Sequence, residues 1–124
     1  MANDYDVRAR NVGVDAITAQ ITRIALHSGD PGAADAADNE LSGGSPAYAR
    51  KAVTWDAAGT PTPGSMNCPT DPVFDVEGGD TVSWISGWNT AGTVRYFKKD
   101  VTDEVFGAQG TYTLTDLDLD LNDA

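Results

Sequence analysis

Val73-Phe74-Asp75-Val76-Glu77, then Gly78-Gly79-Asp80, then Thr81-Val82-Ser83-Trp84-Ile85-Ser86-Gly87-Trp88 is the stretch that fixes the fold class. Two runs rich in β-branched and aromatic residues flank a Gly-Gly-Asp turn, a spacing that predicts a β-hairpin. Trp84 and Trp88 have the same parity as Val82, so all three are expected on one sheet face, packed between sheets. Beyond the turn Asn89-Thr90-Ala91-Gly92, Thr93 to Lys98 alternates Val94 and Tyr96 with Arg95 and Phe97, which predicts the next strand.

Working outward, Thr22, Ile24 and Leu26 alternate with Arg23, Ala25 and His27, a strand that turns Ile24 and Leu26 to the core. Tyr48 to Trp55 reads as a strand with Ala49, Val53 and Trp55 on one side, and the Pro-rich stretch from Ala58 reads as a turn region. From Thr111 to Leu121 the apolar parity slips between Leu114 and Leu117. A bulge near Thr115-Asp116 is expected, with Leu117, Leu119 and Leu121 in the core. The runs total about eight short strands, which predicts a mainly β protein: an antiparallel β-sandwich or jelly-roll-like domain. One short helix is expected from Asn11, with Val14, Ile17 and Ile21 on one face and Asn11 or Asp15 at its start.

The chain is then organised as a flexible polar arm over 1–10 and a single domain over 11–124. A long surface loop at 28–47 carries Gly, Asp, Ala and Pro and almost nothing to bury. A loop of that length is expected to be functional or ordered by a neighbour.

At 124 residues with a net charge of -11, the chain has room for one small core, and its surface repels phosphate backbones and anionic headgroups. Neither nucleic acid nor membrane is expected as a partner. No apolar run approaches a membrane span, and Met1-Ala2-Asn3-Asp4-Tyr5-Asp6 lacks the basic end and apolar core of a signal peptide, so a soluble chain is expected. The lone Cys68 excludes an intrachain disulfide, and the lone His27 removes most transition-metal sites.

Three chemistries can be weighed from residue types. His27 beside Ser28 invites a Ser-His-Asp hydrolase, but the GxSxG elbow is absent and Gly43-Gly44-Ser45-Pro46 lies in a soft loop, so no serine and aspartate are expected to meet His27 in a cleft. Asp30, Asp35, Asp38 and Glu40, and separately Asp116, Asp118, Asp120 and Asp123, invite calcium. Neither set has EF-hand spacing, and solvated faces are expected instead. Trp55, Trp84 and Trp88 form a candidate glycan platform, weighed against simple packing. No catalytic residue, metal site or cofactor is expected.

Several blocks of the chain resemble a family of small bacteriophage virion proteins usually described as tail-fibre or minor tail proteins. They are Ile24-Ala25-Leu26-His27-Ser28-Gly29-Asp30-Pro31-Gly32, Asn39-Glu40-Leu41-Ser42-Gly43-Gly44, Tyr48-Ala49-Arg50-Lys51-Ala52-Val53-Thr54-Trp55, Pro72-Val73-Phe74, Thr81 to Ile85, Gly87 to Val94, and Gly110 through Asn122. Pro46-Ala47 stands where the family passes from Gly-Gly-Ser straight to Tyr-Ala-Arg. The resemblance implies a sandwich-like virion component without catalytic residues, of a kind attached to heads as well as tails. The chain shows no heptads and no shaft repeats. The expected role is therefore non-enzymatic head (capsid) decoration on the particle exterior, with a minor tail or tail-fibre component, binding host-surface glycans, as the alternative. Expected partners are the major capsid protein or tail proteins and further copies of the chain, in a virion assembled in the bacterial cytoplasm. Candidate attachment or oligomer contacts are Asp4, Tyr5, Val7, Arg8 and Arg10 in the arm, and Pro31, Leu41, Tyr48 and Arg50 in and after the loop.

Overall fold

The computed structural model describes residues 6–56, 65–115 and 117–120. Helix α1 (Val7–Thr18) precedes eight strands: β1 (Arg23–His27), β2 (Lys51–Ala52), β3 (Ser65–Asn67), β4 (Val73–Val76), β5 (Thr81–Trp88), β6 (Arg95–Val105), β7 (Gly110–Thr113) and β8 (Asp118–Asp120). They pair antiparallel in a four-stranded sheet of order β2-β1-β5-β6 and two short sheets, β3-β8 and β4-β7. The protein is thus a mainly β, antiparallel sandwich with one short helix, as the strand pattern predicts.

Alternation along β1 and β5 sends Ile24, Leu26 and Ile85 into a core that Phe74 and Val76 of β4 complete from the second layer. Leu41, Val53, Phe106, Leu114 and Leu117 close its margins. Burying each of the larger side chains contributes about 1.5–3 kcal/mol, so this cluster dominates stability. At the centre of the four-stranded sheet Gly87 lies opposite Ile24 on one side and Phe97 on the other. A Cβ at that position would overlap the Phe97 ring and crowd Ile21.

The expected hairpin between Val73–Glu77 and Thr81–Trp88 does not form. β4 pairs with β7, while β5 pairs with β1 and β6. The Gly78-Gly79-Asp80 turn carries the chain from one layer to the other, with Gly79 at φ +98 and its N–H bonded to Phe106 O at 2.6 Å. The change of layer sets Phe74 and Val76 across the core from the four-stranded sheet rather than beside it in one layer. The parity slip after Leu114 has the same origin: β7 and β8 belong to different sheets, so the slip is a change of partner rather than a bulge in one strand. Leu114 and Leu117 are both core and Leu119 packs against it, whereas Leu121 and Asp116 lie outside the described residues. The bulges sit in the β5-β6 pairing instead, between Val82 and Trp84 and between Gly87 and Trp88. Val82 consequently joins the core cluster, and neither Trp84 nor Trp88 does.

Three boundaries differ from expectation. The helix starts at Val7, so residues 7–10 of the supposed arm are its first turns; Asp6 is the N-cap, without a side-chain cap bond. Its buried positions are Val14 and Thr18, whose hydroxyl donates to Val14 O at 2.9 Å, while Ile17 stays exposed and Ile21 is buried beyond the helix end. Ending at Thr18 breaks the phase that would have put Ile21 on the helical face. The Tyr48–Trp55 run keeps only β2 as strand, and β6 extends to Val105 through polar residues because it is an edge strand with mostly exposed side chains. The Pro-rich stretch 57–64 lies outside the described residues, and β3 follows it directly.

Candidate functional site

The face of the four-stranded sheet turned away from the core carries His27, Ser86 and Trp88, with Ser86 opposite Ala25 and Trp84 opposite His27. The chain from Ser28 to Arg50 covers this face. Ser28 N–H donates to Asn39 O, Leu41 N–H donates to Leu26 O, and His27 and Glu40 form a bridge beside β1. The Arg95 guanidinium donates to Gly32 O at 2.7 Å and to Ala36 O, Arg95 N–H donates to Asp35 Oδ1 at 2.9 Å, and Lys98 Nζ reaches Asp30 Oδ1 at 2.7 Å. The segment expected to be functional or ordered by a neighbour is held down by its own domain.

Beneath it runs a buried polar chain. His27 Nδ1 stands 2.9 Å from Asp38 O, an acceptor only, so Nδ1 carries the proton and Nε2 is left as an acceptor. Ser86 Oγ, 2.7 Å from Nε2, donates to it and in turn accepts the indole N–H of Trp88 at 2.7 Å. His27 and Ser86 are 0% exposed and Trp88 2%. Burial pushes the His27 pKa below the ordinary 6.5, against the raising effects of the Asp38 carbonyl and the Glu40 charge. Every link is thus satisfied with a neutral imidazole.

Glu40 lies over this chain. It accepts Arg50 Nε at 2.9 Å and Nη2 at 2.8 Å in a bidentate pair, and the Tyr48 hydroxyl at 2.9 Å. Tyr48 Oη also accepts Leu26 N–H at 3.0 Å, and the Arg50 guanidinium lies 4.1 Å from the Trp88 ring centroid. Burial raises the Glu40 pKa, but the hydrogen bonds from Arg50 and Tyr48 outweigh it and hold the carboxyl below its usual value. Burial drives the Tyr48 phenol upward.

His27 meets a serine, but the partner is the buried Ser86 rather than Ser28, and Asp38 contributes its backbone carbonyl rather than its carboxylate. The Ser-His geometry is that of a hydrogen-bonded pair, yet no solvent reaches it. The acidic residues of the loop go to separate partners: Asp30 to Lys98, Asp35 to Arg95 N–H, Glu40 to Arg50. Among the described residues no three His, Cys, Asp or Glu side chains are grouped to hold a metal ion.

The three tryptophans do not form one platform. Trp88 is buried under Arg50; Trp84 is half-buried with Lys98 Nζ 5.6 Å from its ring centroid; Trp55 packs on the core side and donates its N–H to Ile21 O at 2.9 Å. Of the candidate contacts, Asp4 and Tyr5 lie outside the described residues, and Val7 and Arg8 are exposed on α1 with Arg10 half-buried beside them. Pro31 and Leu41 are buried in their own domain, and Tyr48 and Arg50 are bound to Glu40. Sequence reasoning missed Ser86 and Arg95, and weighed Glu40 for calcium rather than as the partner of Arg50 and Tyr48. Nothing local set Ser86 apart from Ser83 and Thr81 in the same strand.

Residues 10–115 match the model of the family described as podophage GP4 fiber I protein gp80. No curated protein and no solved structure gives a significant match. The match runs from within α1 through β7, taking in the covered sheet face and the core together. The chain therefore belongs to the podophage GP4 fiber I protein gp80 family, a family of phage tail-fibre-type virion proteins.

Proposed function

We propose that the chain is a non-enzymatic structural module of a phage fibre, assembled with other virion proteins. The observation that carries this reading is the fibre-family match across a domain whose buried polar groups are spent on its own architecture. His27, Ser86, Glu40 and Arg50 bind a long covering segment to a sheet, work that serves rigidity rather than turnover. Contacts to neighbours fall to α1, where Val7 at 45% and Val12 at 64% exposure stand outside the buried Val14 and Thr18 positions beside Arg8.

Head decoration is the second reading. It is favoured by the net charge of -11, which keeps densely arrayed copies soluble, and by the lack of heptad or shaft repeats. Quantitative mass spectrometry of purified particles against the major capsid protein, with labelled-particle imaging, separates the two. A small copy number at the tail supports the fibre module, hundreds of copies over the head support decoration instead, and absence from particles overturns both.

A further inference from the structure

Helix α1 turns one face to solvent. At 3.6 residues per turn Arg8, Val12, Asp15 and Ala19 fall on a single stripe, about 110° round the axis from the buried Val14 and Thr18, and all four are exposed. From the N-terminal end the stripe presents a cation, an aliphatic group and an anion. Arg8 and Asp15 stand about 10 Å apart along the axis, too far to pair with each other, and among the described residues neither side chain makes an ion pair or hydrogen bond. Val12, between them, is 64% exposed.

We propose that α1 docks against α1 of a second copy of this chain, antiparallel about a two-fold axis at Val12. The proposal rests on the reading of α1 as the contact element and names what it contacts. In that arrangement Arg8 of each copy comes level with Asp15 of the other and Val12 meets Val12, a self-complementary contact in which each ion pair occurs twice. A parallel arrangement sets Arg8 beside Arg8 and Asp15 beside Asp15, so charge selects the antiparallel one. Within α1, Arg8 and Arg10 outnumber Asp15, so the helix is net positive on a chain of net charge -11, and an approach along it meets less of the repulsion between two acidic copies. Ala9 and Ala16, exposed along one margin of the stripe, let the two axes come close. The helix is about 18 Å long, and a contact of that length falls short of the ~1,200 Å² of a standard interface. Free chains should therefore associate weakly, with a Kd on the order of 1 mM, and copies held close together on a particle far more fully.

The test is sedimentation equilibrium of the full chain at concentrations reaching the millimolar range. Wild type should show a monomer–dimer equilibrium that added salt weakens. Arg8→Asp and Asp15→Arg should each weaken it about tenfold or more, because each turns two attractive pairs into two repulsive ones, and the variant carrying both should return to within about threefold of wild type. Both reversals put acid in the first turn or base in the last, where the helix dipole favours them, so a lost dimer is not a lost helix, and unchanged urea midpoints verify the fold. A wild type that stays monomeric throughout overturns the proposal, as does a single variant that dimerises like wild type, or a double variant no tighter than the singles. Failure here removes the self-contact only. Incorporation of the Arg8→Asp variant into particles, read by mass spectrometry, tests α1 as a contact element separately.

Discussion

Ser86→Ala is the sharpest probe of the polar chain under the covering segment. The substitution removes one atom that accepts from Trp88 Nε1 at 2.7 Å and donates to His27 Nε2 at 2.7 Å. Both partners are sealed from water, at 2% and 0% exposure, so one donor and one acceptor are left unsatisfied together. Each orphaned buried group costs about 1–3 kcal/mol, giving a loss of about 2–6 kcal/mol, a large part of the ~5–15 kcal/mol that stabilises a typical domain. Urea unfolding followed by tryptophan fluorescence reads the loss as a lower midpoint at unchanged slope. Ser42→Ala, at an exposed loop position, serves as the control and should stay within about 0.5 kcal/mol of wild type. In a double-mutant cycle with His27→Ala the two substitutions should be non-additive, since either one breaks the same bond. A Ser86→Ala variant as stable as the control would refute the reasoning, as would a histidine found by NMR with its proton on Nε2.

The remaining expectations concern packing and pH. Gly87→Ala should destabilise by about 1–3 kcal/mol or more, because the new methyl meets the Phe97 ring and Ile21; a thermal melt unchanged from wild type would contradict that close approach. The folded-state pKa of His27 is depressed below 6.5, so the unfolded chain takes up a proton first as pH falls. Stability should therefore decline from about pH 6.5 downward, by at most ~1.4 kcal/mol per pH unit for one proton, until the folded-state pKa is passed. Glu40, depressed below 4.5, contributes stability that is present above that value and lost as pH falls through its folded-state pKa, adding a second, more acidic decline. Urea midpoints measured from neutral pH to below pH 4 check both; a flat profile between neutrality and about pH 5 would remove the His27 contribution.

What the sequence alone determined is what depends on neighbours along the chain. The period-two alternation at Ile24 and Leu26 fixed β1 and its core face, and the turn residues Asn89 to Gly92 fixed where β5 ends. The blocks around Ile24–Gly32, Asn39–Gly44 and Tyr48–Trp55 also carried the family resemblance that the match over residues 10–115 bears out. Local pattern is silent on which strand pairs with which. Gly78-Gly79-Asp80 is compatible with a hairpin or a corner, and the corner prevailed because Phe74 and Val76 complete the core from the opposite layer. The same holds for the segment after β1. Its composition describes a solvated loop, and only the folded chain brings Arg95, Lys98 and Ser86, some 60 residues away, to the carbonyls, carboxylate and imidazole that hold it down. Hydrogen bonds between residues so distant in sequence leave no periodic trace, so the polar chain at His27 was decided by tertiary structure.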